Sequence, residues 1–153
     1  MRHLPIAALL AVLAAVLVPS AGAVQATELT ASARTPTTLT LRNTRYGPIL
    51  FDGRGRVLYS FTRDQRGKPS RCYGDCAAAW PVYFAPKGGL TAGRGVKPAL
   101  LKTTKRRDGR LQVTYNGWPL YYYDEPPGEV RCQNVFTHGG LWLVMQANGK
   151  QVR

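Results

Sequence analysis

Acidic residues are scarce in this chain of 153 residues, with 8 Asp and Glu against 21 Lys and Arg and a formal net charge of +13. Histidine is scarcer, with 2 in all, so His138 alone remains outside the extreme N-terminus for acid–base or metal work. No Gly-x-Ser-x-Gly elbow is present, and His138 is the one candidate base for Ser-His-acid hydrolysis. A phosphate loop and a dinucleotide fingerprint are both missing. Cys-x-x-Cys-His is missing too, excluding covalent c-type haem. No long apolar run follows the N-terminal one, which excludes a multi-span membrane protein. Glycine, at 16 residues without a period, excludes a collagen-like chain. Aromatics are not scarce: 3 Trp, 8 Tyr and 4 Phe are enough to fill a core, against a disordered tail.

The N-terminus reads as an export signal over residues 1–26. Arg2 and His3 are followed by the apolar stretch Ile6 to Val18, then by helix-breaking Pro19 and small residues Ala21-Gly22-Ala23. The h-region is short for a span, and no Cys follows it, so neither an anchor helix nor a lipid anchor is expected. Cleavage removes Arg2 and leaves a charge of about +12. A secreted or extracytoplasmic protein of that charge meets anionic envelope polymers and other acidic surfaces; nucleic acid is not its expected partner. Residues 27–38 lack an apolar period and read as a flexible leader.

Residues 39–153 read as one domain. Ile49-Leu50-Phe51 runs into Asp52-Gly53-Arg54-Gly55, a turn cluster, and Val57, Tyr59 and Phe61 then alternate onto one face. Leu111 to Tyr115 alternates as well and ends at Asn116-Gly117, the strongest two-residue hairpin signal. Trp118 to Tyr123 resumes an aromatic strand, with Pro119 suited to its start or to an edge. The two hairpins look like copies: Leu58-Tyr59-Ser60-Phe61 matches Leu120-Tyr121-Tyr122-Tyr123, Arg71-Cys72 matches Arg131-Cys132, and Trp80-Pro81-Val82 matches Trp142-Leu143-Val144. The copies span about 46–84 and 108–146, and one spacing links all three anchors. Cys76 to Trp80 is the one good helix nucleus, ended by Pro81, and Ala85 to Leu101 reads as a long exposed connection. The expected fold is mostly β, two pseudo-repeated β-hairpin units in one small domain with one short helix.

Tyr59-Ser60-Phe61-Thr62-Arg63-Asp64 is a Tyr-x-aromatic-x-x-Asp motif, followed by Cys72-Tyr73-Gly74-Asp75-Cys76 and Trp80-Pro81. With Gln112 to Gly117 and Pro119 to Tyr122, it resembles the bacterial secreted or lipoprotein repeat family that carries the Tyr-x4-Asp motif, over roughly residues 40–148. The resemblance implies an extracytoplasmic, repeat-built protein and no assigned reaction. The second copy departs from the motif, with Pro126 at the Asp position and Asp124 and Glu125 just before it. That puts a shared role for the motif acid in doubt there. Tyr59, Phe61, Asp64, Trp80, Tyr121 and Tyr123 are read as architectural, with Asp64 capping backbone N–H groups beyond the strand end.

Three cysteines leave one unpaired in an oxidising compartment. A Cys72–Cys76 bridge closes a short loop and stabilises by about 2 kcal/mol, whereas a bridge to Cys132 would contribute about 4 kcal/mol. Entropy favours the longer bridge, but proximity makes Cys72–Cys76 the expected pair. Cys72, Cys76, Cys132 and His138, with Met145 nearby, form the donor set that would suit copper; no other cofactor is expected. Cys132 and His138 are a weak catalytic pair. A paired-carboxylate site would have to draw on Asp52, Asp64, Asp75, Asp108, Asp124, Glu125 and Glu129, most of them in turn sequences. An enzyme is therefore the less favoured reading. Arg63, Arg66, Lys68 and Arg71 follow the first hairpin, and Lys102, Lys105, Arg106, Arg107 and Arg110 precede the second. Together they suggest a basic face for an anionic envelope polymer. The favoured function is a non-enzymatic binding module, and the alternative is a redox or copper-binding protein using the Cys-x3-Cys pair.

Overall fold

The computed structural model describes residues 38–153. The expected signal peptide, 1–26, and the leader up to residue 37 lie outside the described residues. Strand β1 (Leu39–Thr44) pairs antiparallel with β2 (Gly47–Asp52), followed by β3 (Tyr59–Phe61) and helix α1 (Asp75–Ala79). Strand β4 (Leu101–Lys105) pairs antiparallel with β5 (Leu111–Tyr115), and β6 (Trp118–Pro119), β7 (Val135–Thr137) and β8 (Gly140–Val144) complete the order. The fold is mostly β with one short α-helix among the described residues, as expected. Pro119 sits in β6, at the edge of the β4-β5-β6 sheet, where its missing N–H takes nothing from the ladder.

Asn116 and Gly117 make the predicted two-residue turn, both at positive φ (49° and 78°), which sets Tyr115 opposite Trp118. In the first copy the chain folds back at Asp52–Arg56, where the Asp52 N–H donates to Arg56 C=O at 2.8 Å and Phe51 faces Val57. Helix α1 has no buried residue, and its last turn closes with the Trp80 N–H on Cys76 C=O at 2.8 Å. Pro81 then prevents its extension.

The copies interlock. Tyr59 and Tyr121 exchange both backbone hydrogen bonds, each at 2.9 Å, so the pseudo-two-fold relation passes between them. Strand β8 of the second copy pairs with β3 of the first, Tyr59 opposite Val144 and Phe61 opposite Trp142. Reciprocally, Val82 of the first copy pairs with Tyr121 of the second. Each hairpin is thus completed by the other copy's tail. Alternation places two clusters on opposite faces of these strands. Phe51, Tyr59, Phe61, Tyr121 and Val144 enter one cluster. Leu50, Leu58, Leu120 and Met145 enter the other.

The segment read as an exposed connection, Ala85 to Leu101, is tied to the sheet. The Thr38 N–H donates to Thr91 C=O and the Gly93 N–H to Leu39 C=O, both at 2.8 Å. Val96 is buried, and Pro98–Leu100 form a 3-10 turn leading into β4. Strands β1, β4 and β7 were not anticipated. Each of the first two carries one buried apolar residue, Leu39 or Leu101, among threonines and cations, so their apolar pattern is too weak to announce a strand.

Candidate functional site

The motif residues converge on one aromatic column. Trp80 and Trp142, repeat mates, stack at 3.9 Å with 2° between planes. Phe61 stacks on Trp142 at 4.1 Å, and its counterpart Tyr123 lies against Trp80 at 4.7 Å. Tyr59 meets Trp80 edge-on at 5.4 Å, and Tyr121 meets Trp142 edge-on at 5.2 Å. Edge-on pairs of this kind add about 0.5–1.5 kcal/mol each beyond their burial.

Two acid–tyrosine latches lock the column. Asp64 accepts the Tyr121 hydroxyl at 2.6 Å and the Arg71 N–H at 2.7 Å. Glu125 accepts the Tyr59 hydroxyl at 3.1 Å and the Arg131 N–H at 2.8 Å. Each tyrosine therefore bonds to the acid of the opposite copy. Glu125, one residue earlier than the motif position, uses its extra methylene to fill the role left open by Pro126; sequence reasoning missed this because it looked for Asp at fixed spacing. Asp64 caps a backbone N–H seven residues on, in the returning chain. Burial pushes the carboxyls of Asp64 and Glu125 above their ordinary range, opposed by these hydrogen bonds. It likewise pushes the phenols of Tyr59 and Tyr121 far above theirs. Ser70, also unremarked in the sequence, joins the first latch, its hydroxyl 2.7 Å from Tyr121 and accepting the Cys72 N–H at 3.0 Å.

Cys72 and Cys76 form a disulfide with Cα atoms 5.3 Å apart, and Cys132 is free and buried. Burial raises the Cys132 thiol above its ordinary range, away from a reactive thiolate. His138 and Gly139 are the positive-φ turn of the β7–β8 hairpin. Among the described residues, no group of three or more His, Cys, Asp and Glu is placed to hold a metal ion.

The basic residues do not act as one set. Arg106 is 5% exposed, a correction to its place on a ligand-facing surface. Its guanidinium donates to Gln112 Oε1 at 2.8 Å and to Cys72 C=O at 2.7 Å, joining the copies from inside. Arg107 lies over the Tyr73 ring at 4.4 Å beside it. Arg66 clamps Asn116, and Arg63 donates to His138 C=O at 3.0 Å, so these two brace turns of the second copy. Arg71 and Lys105 are exposed.

A cleft of about 480 Å³ opens where β2 ends, lined by Thr38, Thr40, Asp52, Gly53, Arg54, Val82, Tyr83, Phe84, Pro86 and Tyr122. Asp52 Oδ1 accepts the N–H groups of Arg54 and Arg56 at 2.9 and 2.8 Å, and Oδ2 accepts the Tyr122 hydroxyl at 2.9 Å. Arg56 covers the Tyr122 ring at 4.1 Å, and Arg110 covers Phe84 at 3.8 Å. Sequence reading missed this concavity because its walls come from β1, the first turn, the segment after Trp80 and the second copy's strand.

The family model for a secreted repeat of unknown function matches residues 40–83 and 102–146. The chain belongs to this family. Its two matched repeats include β1 and β4, the opening strands of the two copies. No curated protein and no solved structure matches the chain. Membership of the secreted repeats places the protein outside the cytoplasm, and no helix among the described residues is long and apolar enough to cross a membrane.

Proposed function

We propose that this secreted repeat protein is a non-enzymatic binding module for an anionic polymer of the cell envelope. The observation that carries the reading is the fate of its acids. Asp52, Asp64 and Glu125 are buried and bonded to internal donors. Asp108 and Glu129 are paired with Arg110 and Arg131 at 2.8 and 2.6 Å. Among the described residues that leaves Asp75 and Asp124 to offset a surface crowded with arginine and lysine. Several guanidinium groups lie over aromatic rings, among them Arg42 over Phe51, Arg45 over Tyr46 and Arg107 over Tyr73. Side chains held in this way lose less rotamer freedom when they meet an anion. Retention of the protein on long-chain polyphosphate should be strong at 50 mM salt and gone near 1 M, where the Debye length falls to about 3 Å. Salt-independent retention, or none, would refute the reading.

A second reading, copper or redox use of Cys72 and Cys76, rests on Cys132, a third sulfur in the same core cluster. It requires an external two-electron reductant to open the disulfide and give two thiolates for Cu(I). Alkylation of the secreted protein distinguishes the readings: one modifiable cysteine after denaturation favours the binding module, and three favour the metal.

A further inference from the structure

We propose that the cleft beside Asp52 and Tyr122 binds a single sugar unit carrying a carboxylate or a phosphate. This rests on the polyanion reading and names the unit of the polymer that the protein recognises. Three rings, Tyr83, Phe84 and Tyr122, line the cleft. The exposed parts of these rings offer an apolar wall to the C–H face of a pyranose, as to any flat, partly apolar body. Arg54 also lines it, and its guanidinium has no hydrogen-bond or ion-pair partner among the described residues, so its donor fork is available to an anion. Arg56, 4.1 Å from the Tyr122 ring, adds positive charge beside the lining, whereas Arg110, over Phe84, is paired with Asp108. Asp52, the one acid in the lining, keeps its charge, and its oxygens are engaged by the Arg54 and Arg56 N–H groups and the Tyr122 hydroxyl, so the anion is placed at the Arg54 side chain. The Thr40 hydroxyl makes one long bond, 3.4 Å to Asp52 C=O, and can serve a sugar hydroxyl.

The other copy builds the corresponding place differently. Asp52 faces Arg56 across the first turn as Tyr115 faces Trp118 across the second. Tyr115 is fully buried, accepting the Lys97 N–H at 2.9 Å and donating to Ala147 C=O at 2.8 Å. The same hairpin is thus built with a large side chain that ties its surroundings together. With Asp52 in that place, the first copy keeps the larger concavity, about 480 Å³ and bearing Arg54, against about 320 Å³ for the one beside Lys97, Gln146 and Ala147.

The test is calorimetric titration of the secreted protein with trigalacturonic acid, N-acetylglucosamine 1-phosphate and neutral N-acetylglucosamine. Arg54→Glu is compared with Lys150→Glu, an identical charge change at an exposed turn outside the lining. One or both anionic sugars should bind, the neutral sugar at least tenfold more weakly. Arg54→Glu should weaken binding at least tenfold and Lys150→Glu less than twofold. The arm that binds identifies the carboxylate or the phosphate as the recognised group. Equal effects of the two substitutions, equal binding of the neutral sugar, or no binding of any sugar would overturn the assignment. Retention on polyphosphate separates the failures: if it persists while the sugars fail, the cleft alone is wrong; if it is lost as well, the polyanion reading falls with it.

Discussion

Tyr121→Phe isolates one latch. It keeps the ring that meets Trp142 at 5.2 Å and removes the hydroxyl that Asp64 accepts at 2.6 Å. Asp64 is 3% exposed and keeps one other donor, the Arg71 N–H. A hydrogen bond to a charged, buried acceptor contributes about 1.5–3 kcal/mol, and the Ser70 hydroxyl loses a contact as well. The variant should therefore be about 2–3 kcal/mol less stable in urea unfolding at neutral pH, with an unchanged m-value. The deficit should depend on pH. Burial raises the Asp64 pKa and the tyrosine lowers it, so deleting the hydroxyl raises it further. A raised folded-state pKa gives stability that is fully present below the unfolded carboxylate value and lost as pH rises through the folded value. The deficit is then smallest in acid and grows by about 1.4 kcal/mol per unit of displacement as pH passes from the wild-type to the variant pKa. Asp64→Asn combined with Tyr121→Phe should recover part of the sum of the single effects. A loss below about 0.5 kcal/mol, or a deficit independent of pH, would refute the latch.

Alkali should unfold the protein cooperatively. Burial raises the phenols of Tyr59, Tyr83, Tyr121 and Tyr122, so their stabilisation is complete below about pH 10 and lost as pH rises towards the folded values. Absorbance near 295 nm should show them ionising together with the loss of near-UV dichroism; separate, earlier ionisation would contradict their burial. Trp80→Ala should cost about 3–5 kcal/mol by emptying the centre of the column, read as a fall in the urea midpoint. Replacing Cys72 and Cys76 by Ser should cost about 2 kcal/mol for so short a loop, and Cys132 should react with a maleimide only after denaturant is added.

The sequence was most legible where one residue type has one physical job. Asn116-Gly117 announced its turn because both positions need positive φ, and Cys72 and Cys76 announced their bond by nearness. The aromatic repeat anchors announced a symmetric core. What stayed hidden depends on contacts across the copies. Nothing in residues 102–110 distinguishes the buried Arg106 from its exposed neighbours, because its partners, Gln112 and Cys72 C=O, are brought there by folding. Glu125 was obscured by a one-residue change of spacing that a longer side chain absorbs. Strands β1 and β4 were hidden by the threonines and cations that interrupt their apolar pattern. The Asp52 cleft draws on four separated stretches of chain, so no local pattern could display it.

The exchange of tails has a kinetic consequence. Strand β3, at Tyr59–Phe61, waits for β8, at Gly140–Val144, roughly eighty residues later. Such distant pairing closes late, because the loop entropy comes before the reward. A ribosome-bound or half-translocated chain holds the first hairpin but neither its Trp142 nor its Tyr121. The column cannot be stacked until nearly the whole domain has emerged on the far side of the membrane. For a secreted protein this arrangement delays folding, keeping the chain threadable during export, and lets the latches shut after it arrives.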